Sequence, residues 1–266
     1  MYWIYDISQP LLGLLFFVVF VGFAAAGLLL FRGPLRRAFA EDEGWRENVV
    51  ITLEGAFVFF GLLLALVTIA AYDNYATARE KVAAEASELG SLYRDISGYP
   101  EPLRGELQTG LKDYAKYVIE EAWPQQRRGI TPEAAGTITT AFQDRLEAFN
   151  PSTNGEVALH SATLAEFNDF VKARRERLHF VTVGPPAVLW AVLVMGAVLT
   201  IMITWLLPVQ RLKGHLVLSG ASAIVVALLL FVAVSLDNPF RGDLSVSPHA
   251  YELIQHDIMG VAVGAH

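Results

Sequence analysis

Four long apolar runs constrain this chain more than any other feature of its sequence. They cover residues 11–31, 49–72, 181–207 and 215–236. An α-helix needs about 20 predominantly apolar residues to cross the hydrocarbon core of a bilayer, and each run is long enough. Within hydrocarbon every backbone polar group must be satisfied internally, which favours helices. The sequence therefore predicts an all-α integral membrane protein with four transmembrane helices in two pairs and a helical soluble domain between them.

The composition agrees with lipid contact and argues against several other classes. Only 18% of the 266 residues are charged, whereas soluble domains usually carry about 25%. The formal net charge of −7 argues against a nucleic-acid partner, which would require a basic surface. The chain has no cysteine, so it has no disulfide, thiolate metal site or cysteine nucleophile.

The segment between the two helix pairs is polar, and its apolar residues recur at helical spacing. One stripe continues the second run and comprises Val82, Ala86, Leu89, Tyr93 and Ile96. Beyond a break at residues 98–102, we expect a helix that ends near Trp123-Pro124, and Thr131-Pro132 is typical of the start of another. A last helix is expected over about residues 156–179.

The sequence is predicted to divide into four parts. Residues 1–72 hold the first transmembrane pair, 73–180 the helical soluble domain, 181–236 the second pair and 237–266 a C-terminal tail. The apolar stripes of the soluble domain must be buried against one another or against other subunits.

No catalytic constellation is present, so we do not expect an enzyme. Nucleophile-elbow, phosphate-loop and zinc-protease motifs are absent from the sequence, and its six histidines show no metal-ligand spacing that identifies a metal. Glu54 is the one charge inside an apolar run, and such charges often mark ion pathways. Two interpretations stay open, because Glu54 either reaches the interface or faces an aqueous vestibule and acts on ions.

Basic residues near the membrane ends do not give a clear orientation. Six lie on one face: Arg32, Arg36, Arg37, Arg46, Arg211 and Lys213. Seven lie on the other: Arg79, Lys81, Lys172, Arg174, Arg175, Arg177 and Arg241. Short loops count more than long ones, which favours the first face as cytoplasmic.

Two stretches resemble the bestrophin family of ion channels, and specifically its bacterial bestrophin-like members. In bestrophins a glycine-containing pore helix runs into a Tyr-Asp-Arg-Trp-Trp-x-Ala-Arg motif. The matching positions here are Tyr72, Asp73, Ala78 and Arg79. The motif's first arginine and two tryptophans are replaced by Asn74, Tyr75 and Ala76.

The second stretch follows the fourth run. Asp237-Asn238-Pro239-Phe240 resembles the segment after the last bestrophin membrane helix, whose acidic run forms a calcium clasp. This chain supplies only Asp237 and Asp243 around that motif, whereas calcium takes about six to eight oxygen ligands. Two interpretations stay open for Asp237, Asn238 and Asp243: a calcium site, and a strap that fastens the tail to the helix bundle. The small number of carboxylates favours the strap, so no cofactor is expected.

The resemblance implies a homo-oligomeric channel, a pentamer, with an axial pore lined by the second transmembrane helix. It places the narrow neck at Val58, Leu62 and Leu66, which share one helix face. Glu54, if it faces a vestibule, lies one turn before this neck. The expected ions are small anions such as chloride or bicarbonate, although a pore-facing Glu54 would repel them. Without the resemblance, the same apolar residues are accounted for by packing against lipid or neighbouring helices.

The resemblance also implies a multi-pass protein of the inner (plasma) membrane with cytoplasmic termini and soluble domain. This orientation is opposite to the one favoured by the short loops. The expected partners are the lipid bilayer, small ions and further copies of the chain. An alternative function is a non-conducting membrane scaffold or sensor whose helical domain binds a partner protein.

Overall fold

A computed structural model describes residues 5, 7–39, 44–132, 134–181 and 186–260, except for the side chain of Ala134. Within these ranges the regular structure is helical, which confirms the predicted all-α fold. The helices are α1 (Gln9–Ala38), α2 (Trp45–Ile96), α3 (Leu103–Tyr117), α4 (Trp123–Arg127), α5 (Ala134–Glu147), α6 (Asn154–His179), α7 (Ala187–Trp205), α8 (Leu212–Leu236) and α9 (His249–Asp257).

Four of these helices, α1, α2, α7 and α8, are long and apolar enough to cross a membrane. The third span begins at Ala187 rather than at residue 181, because Val181 lies in a turn and Pro186 caps α7 with an extended backbone. The residue before a proline is disfavoured in the helical conformation, so the Pro185-Pro186 pair opposes an earlier start. Residues 182–185 of the predicted span lie outside the described residues.

The chain divides into two compact units. The first unit comprises Met1–Asp73 and Gly184–Asp237, and the second comprises Asn74–Val183 and Asn238–His266. The helix α2 contributes its first part to the first unit and its remainder to the second.

Trp205 organises the core of the first unit. Its indole N–H donates a hydrogen bond to the Ala24 carbonyl of α1 at 3.1 Å. Its ring stacks on Phe31, with centroids 5.7 Å apart. A Cβ atom at Gly27 would lie 2.0 Å from this ring. The absence of a side chain at Gly27 therefore lets α1 and α7 approach, as small residues commonly do between membrane helices.

Polar side chains connect α7 with α8 in the first unit. The hydroxyls of Thr204 and Ser219 are 2.8 Å apart, and the ring Nε2 of His215 is 2.9 Å from the Thr204 carbonyl oxygen. All three side chains are buried. Hydrogen bonds of this kind hold membrane helices together where the hydrophobic effect cannot, because lipid is as apolar as the helices.

The apolar stripes predicted for the soluble segment form the core of the second unit. Val82, Leu89 and Ile96 of α2 are buried there, together with Leu107 and Leu111 of α3. The following helix α6 begins with a capping box. The Thr153 hydroxyl accepts from the Glu156 N–H, and the Glu156 carboxylate accepts from the Thr153 N–H.

Two helix boundaries in the second unit differ from the sequence prediction. Trp123-Pro124 does not end a helix, because a π-helical turn at Val118–Ala122 joins α3 to α4 and Pro124 lies in the first turn of α4. The π-helical turn directly before Pro124 interrupts the regular α-helical hydrogen-bond pattern, which is where a helix can accommodate a proline. Thr131-Pro132 precedes α5, but residue 133 lies outside the described residues, so the predicted cap is not described.

We predict that Gly27→Ala lowers the free energy of unfolding by about 1–3 kcal/mol, because the new methyl group overpacks the Trp205 ring. Denaturant titration of the protein in detergent micelles, followed by tryptophan fluorescence, measures the change. Gly22→Ala on the same helix is the matched control, since no atom lies within 4 Å of its added Cβ. Equal stability of the two variants would contradict the close approach.

Candidate functional site

The sequence-predicted neck residues form an exposed line along α2. The exposed fractions are 67% for Val58 and 59% for both Leu62 and Leu66. The opposite face of the helix, with Phe60 and Leu64, is buried in the core of the first unit. The line is therefore available to lipid, to water or to another copy of the chain.

Carboxylates lie near both ends of this line. Asp73 is seven residues beyond Leu66, which places it on the same helix face. Glu54 is one turn before Val58, and both carboxylate side chains are exposed. Neither forms an ion pair or hydrogen bond with a described residue.

The residues of the family motif lie within the continuous helix α2. Tyr72 and Asp73 are exposed at the end of the first unit's part of α2, and Arg79 is exposed in the second unit's part. The structure keeps the three residues on one continuous helix.

The segment after α8 is fastened within the second unit by backbone contacts. The indole N–H of Trp123 donates to the Val246 carbonyl at 3.1 Å, and the Val246 N–H donates to the Pro239 carbonyl at 2.8 Å. Phe240 is buried edge-on against the Trp123 ring. Helix α9 follows, so the predicted tail contains a packed helix.

The same segment is a poor match to a calcium site. Asp237 is buried in the first unit and accepts a hydrogen bond from the Tyr5 hydroxyl. Asp243 is exposed, and Asn238 is partly buried. Among the described residues, no three acidic or histidine side chains lie close enough to hold a metal ion. Asp237, Asn238 and Asp243 therefore do not provide the donor set that calcium requires.

A fully buried ion pair occupies the centre of the second unit. The Arg177 Nε donates to Glu85 at 2.5 Å and its Nη2 donates to the other carboxylate oxygen at 3.3 Å. The Tyr114 hydroxyl also donates to Glu85, at 2.5 Å. The Arg177 guanidinium lies over the rings of Trp123 and Tyr251, 5.6 and 5.8 Å from their centroids. Five helices therefore meet at one guanidinium–carboxylate pair.

The electrostatics of this cluster hold it in one protonation state. Burial lowers the pKa of Arg177, but electrostatic interactions with Glu85, Tyr251 and Tyr114 and the hydrogen bond to Glu85 together outweigh it, so that the pKa is raised well above the usual value. Burial, followed by the Glu85 charge, raises the pKa of Tyr114 well above 10. Arg177 therefore stays charged and Tyr114 stays protonated, as the hydrogen bonds require.

The sequence analysis missed this pair, because it counted Arg177 among the basic residues at a membrane end. The signal was present: Glu85 lies three residues after Val82 and four before Leu89, on the apolar stripe of its helix. Arg177 likewise lies four residues after Ala173, a buried position of α6. A charge on an apolar stripe indicates a buried partner.

Two glutamates, Glu88 of α2 and Glu166 of α6, form a second contact between these helices. Burial, and then a hydrogen bond with Glu88, raises the pKa of Glu166 to about 7. Glu166 is therefore partly protonated at neutral pH, which reduces its repulsion of the neighbouring Glu88 carboxylate.

These features define an integral membrane protein of the all-α class with four span-length helices and a helical unit outside the spans. The family model of the bestrophin-like domain matches residues 18–251, and the chain belongs to that family. The family is related to the bestrophin channels.

Solved structures of a bacterial bestrophin homologue from Klebsiella pneumoniae share the fold. One point variant is 12% identical, with a TM-score of 0.70 over 91% of this chain and 97% of its own. The structure phased with zinc is 13% identical, with a TM-score of 0.68 over 94% and 99%. Likeness at this identity concerns the fold alone. No curated protein matches the chain.

We predict that Arg177→Met costs about 3–5 kcal/mol of unfolding free energy, because it leaves the Glu85 carboxylate buried without a counter-ion. The double variant Glu85→Leu/Arg177→Met should lose less than the single one. Denaturant titration in detergent micelles measures both. Lys81→Met is the matched control, since the exposed Lys81–Glu176 pair joins the same two helices at 2.7 Å and should contribute far less. A double variant as unstable as Arg177→Met would contradict this account.

Proposed function

We propose that the chain is a homo-oligomeric ion channel, a pentamer, whose axial pore is lined by α2. The observation that carries the proposal is the exposed line of Val58, Leu62 and Leu66 on a face of α2 that the first unit does not cover. A ring of such apolar side chains gates by dewetting, because a dry constriction excludes hydrated ions until it widens or fills with water.

Membership of the bestrophin-like family and the shared fold support this proposal. Few residues of the spans are buried within the chain itself: 17% of the most apolar stretch of α1 and the same share of α2. The remaining apolar surface requires lipid and neighbouring subunits, as expected for an oligomer in a bilayer.

The transported ion has two candidates. Small anions such as chloride or bicarbonate follow from the resemblance to bestrophin channels. Cations are favoured by the two exposed carboxylates, Glu54 and Asp73, since rings of acidic side chains attract cations. If the channel conducts anions, the negative charges of Glu54 and Asp73 oppose their permeation.

The orientation and location belong to the same proposal. The soluble domain and both termini are placed in the cytoplasm, and the protein in the inner (plasma) membrane, by family resemblance. Arg177 is buried in an ion pair and does not act at the membrane surface. Without it, each of the two membrane faces has six basic residues near the ends of the spans.

The scaffold alternative was suggested by the amphipathic helices of the soluble segment, which no longer support it. The apolar stripes of the soluble segment are buried within the second unit, as at Leu89, Leu111 and Phe142. They are therefore not kept exposed for a partner protein.

We expect Leu62→Ala to raise single-channel conductance roughly twofold or more, because a smaller side chain widens the dry constriction. Purified protein in planar bilayers provides the measurement. Leu228→Ala on α8 is the matched control, with 58% exposure in place of 59%. Equal conductance of Leu62→Ala and the unmodified protein would refute the neck register. Absence of any current from an intact oligomer would refute the channel.

Reversal potentials in a KCl gradient distinguish the two ions. An anion channel reverses near the chloride equilibrium potential, and Glu54→Gln/Asp73→Asn should shift it further that way by removing repulsion. A cation channel reverses near the potassium potential, and the same variant should reduce its selectivity. Asp144→Asn on α5 is the control for a change of charge elsewhere. An unchanged reversal potential in the double variant would remove both carboxylates from the pore.

A further inference from the structure

A cavity of about 330 Å³ lies in the first unit where α1 ends, α2 begins and the α7–α8 connection passes. Its lining combines the apolar side chains of Leu35, Leu206 and Leu207 with the basic side chains of Arg36 and Arg46. The apolar stretches of the spans stop at this level. The cavity therefore lies at headgroup depth, where tryptophans such as Trp45 favour the interface.

The walls of this cavity are held in place by side-chain hydrogen bonds. The Trp45 indole N–H donates to the Leu206 carbonyl at 3.3 Å. The Arg32 guanidinium donates to the carbonyls of Val209 and Gln210 at 3.0 and 2.6 Å. Phe39 stacks on Trp45 with ring centroids 3.7 Å apart. The cavity is thus preorganised, which lowers the entropy cost of binding a ligand.

The two arginines in the lining lack partners among the residues that the structure describes. Neither Arg36 nor Arg46 forms an ion pair or hydrogen bond with any described residue. Arg36 lies in the last turn of α1, where a cation complements the helix dipole. Arg46 lies in the first turn of α2, where the dipole is positive and disfavours a cation. Arg46 is exposed, and an anion bound in the cavity would offset this unfavourable placement.

The acidic residues in this region do not supply that anion among the described residues. Glu47 is exposed and does not line the cavity. Glu41, Asp42 and Glu43 lie between α1 and α2 in the sequence, outside the described residues.

We propose that this cavity binds the phosphate of an anionic phospholipid headgroup through Arg36 and Arg46. Guanidinium groups form charge-assisted, two-pronged hydrogen bonds with phosphate. The apolar side chains Leu35, Leu206 and Leu207 receive the glycerol and the start of the acyl chains. The proposal does not depend on conduction, since it concerns a surface of the first unit away from the exposed line of α2.

Native mass spectrometry of the purified, delipidated oligomer tests the proposal, with phosphatidylglycerol and phosphatidylcholine as probes. We expect selective retention of phosphatidylglycerol and a loss of roughly tenfold or more in its affinity for Arg36→Gln/Arg46→Gln, since each basic residue near an anionic lipid is worth about fivefold. Arg37→Gln is the matched control, because Arg37 neighbours Arg36 in sequence but does not line the cavity. Equal retention of phosphatidylglycerol by the double variant and the control would overturn the site.

Two further experiments distinguish a lipid headgroup from other sources of the anion. The first compares how strongly inorganic phosphate and phosphatidylglycerol protect the oligomer against thermal unfolding. Equal protection would identify a site for free phosphate and would contradict the lipid proposal. If the double variant loses thermal stability without lipid as much as with it, the arginines pair with the chain's own carboxylates, and the proposal fails. The single variant Arg46→Gln, with an expected loss of about fivefold, keeps the test valid if the double variant does not assemble.

Discussion

The second unit depends on the guanidinium of Arg177 and the carboxylate of Glu85, both fully buried. Removing two charges from water costs several kcal/mol for each ion, and attraction offsets that cost only with good geometry and additional hydrogen bonds. Two arginine N–H groups and the Tyr114 hydroxyl provide those bonds. The aromatic faces of Trp123 and Tyr251 provide a further attraction for the cation. Because each partner comes from a different helix, the pair specifies how α2, α3, α4, α6 and α9 pack.

The first unit uses a different principle, because there is little water in hydrocarbon to drive burial. Its helices approach closely at Gly27, and they exchange hydrogen bonds through Trp205, Thr204 and Ser219. Most of their apolar surface remains exposed within a single chain. Lipid must cover that surface wherever another subunit does not, which agrees with a membrane protein of the bestrophin-like family.

The fold is shared with bacterial bestrophin homologues at 10–13% identity. Such low identity shows that few residues are shared, so the fold tolerates many changes of side chain. The replacement of aromatic and basic motif residues by Asn74, Tyr75 and Ala76 is one example, since α2 stays a continuous helix through them.

The sequence by itself determined the four spans, the continuation of α2 beyond the second span and the break at residues 98–102, because each follows from local composition. The spacing of Val58, Leu62 and Leu66 also places them on one helix face, although the choice of that face as a pore neck came from the resemblance to bestrophins. Local patterns could not identify the partner of Arg177, the site of Trp205 against Gly27 or the packing of the segment after α8. These depend on residues up to 181 positions apart in the chain, and only the tertiary structure brings such residues into contact.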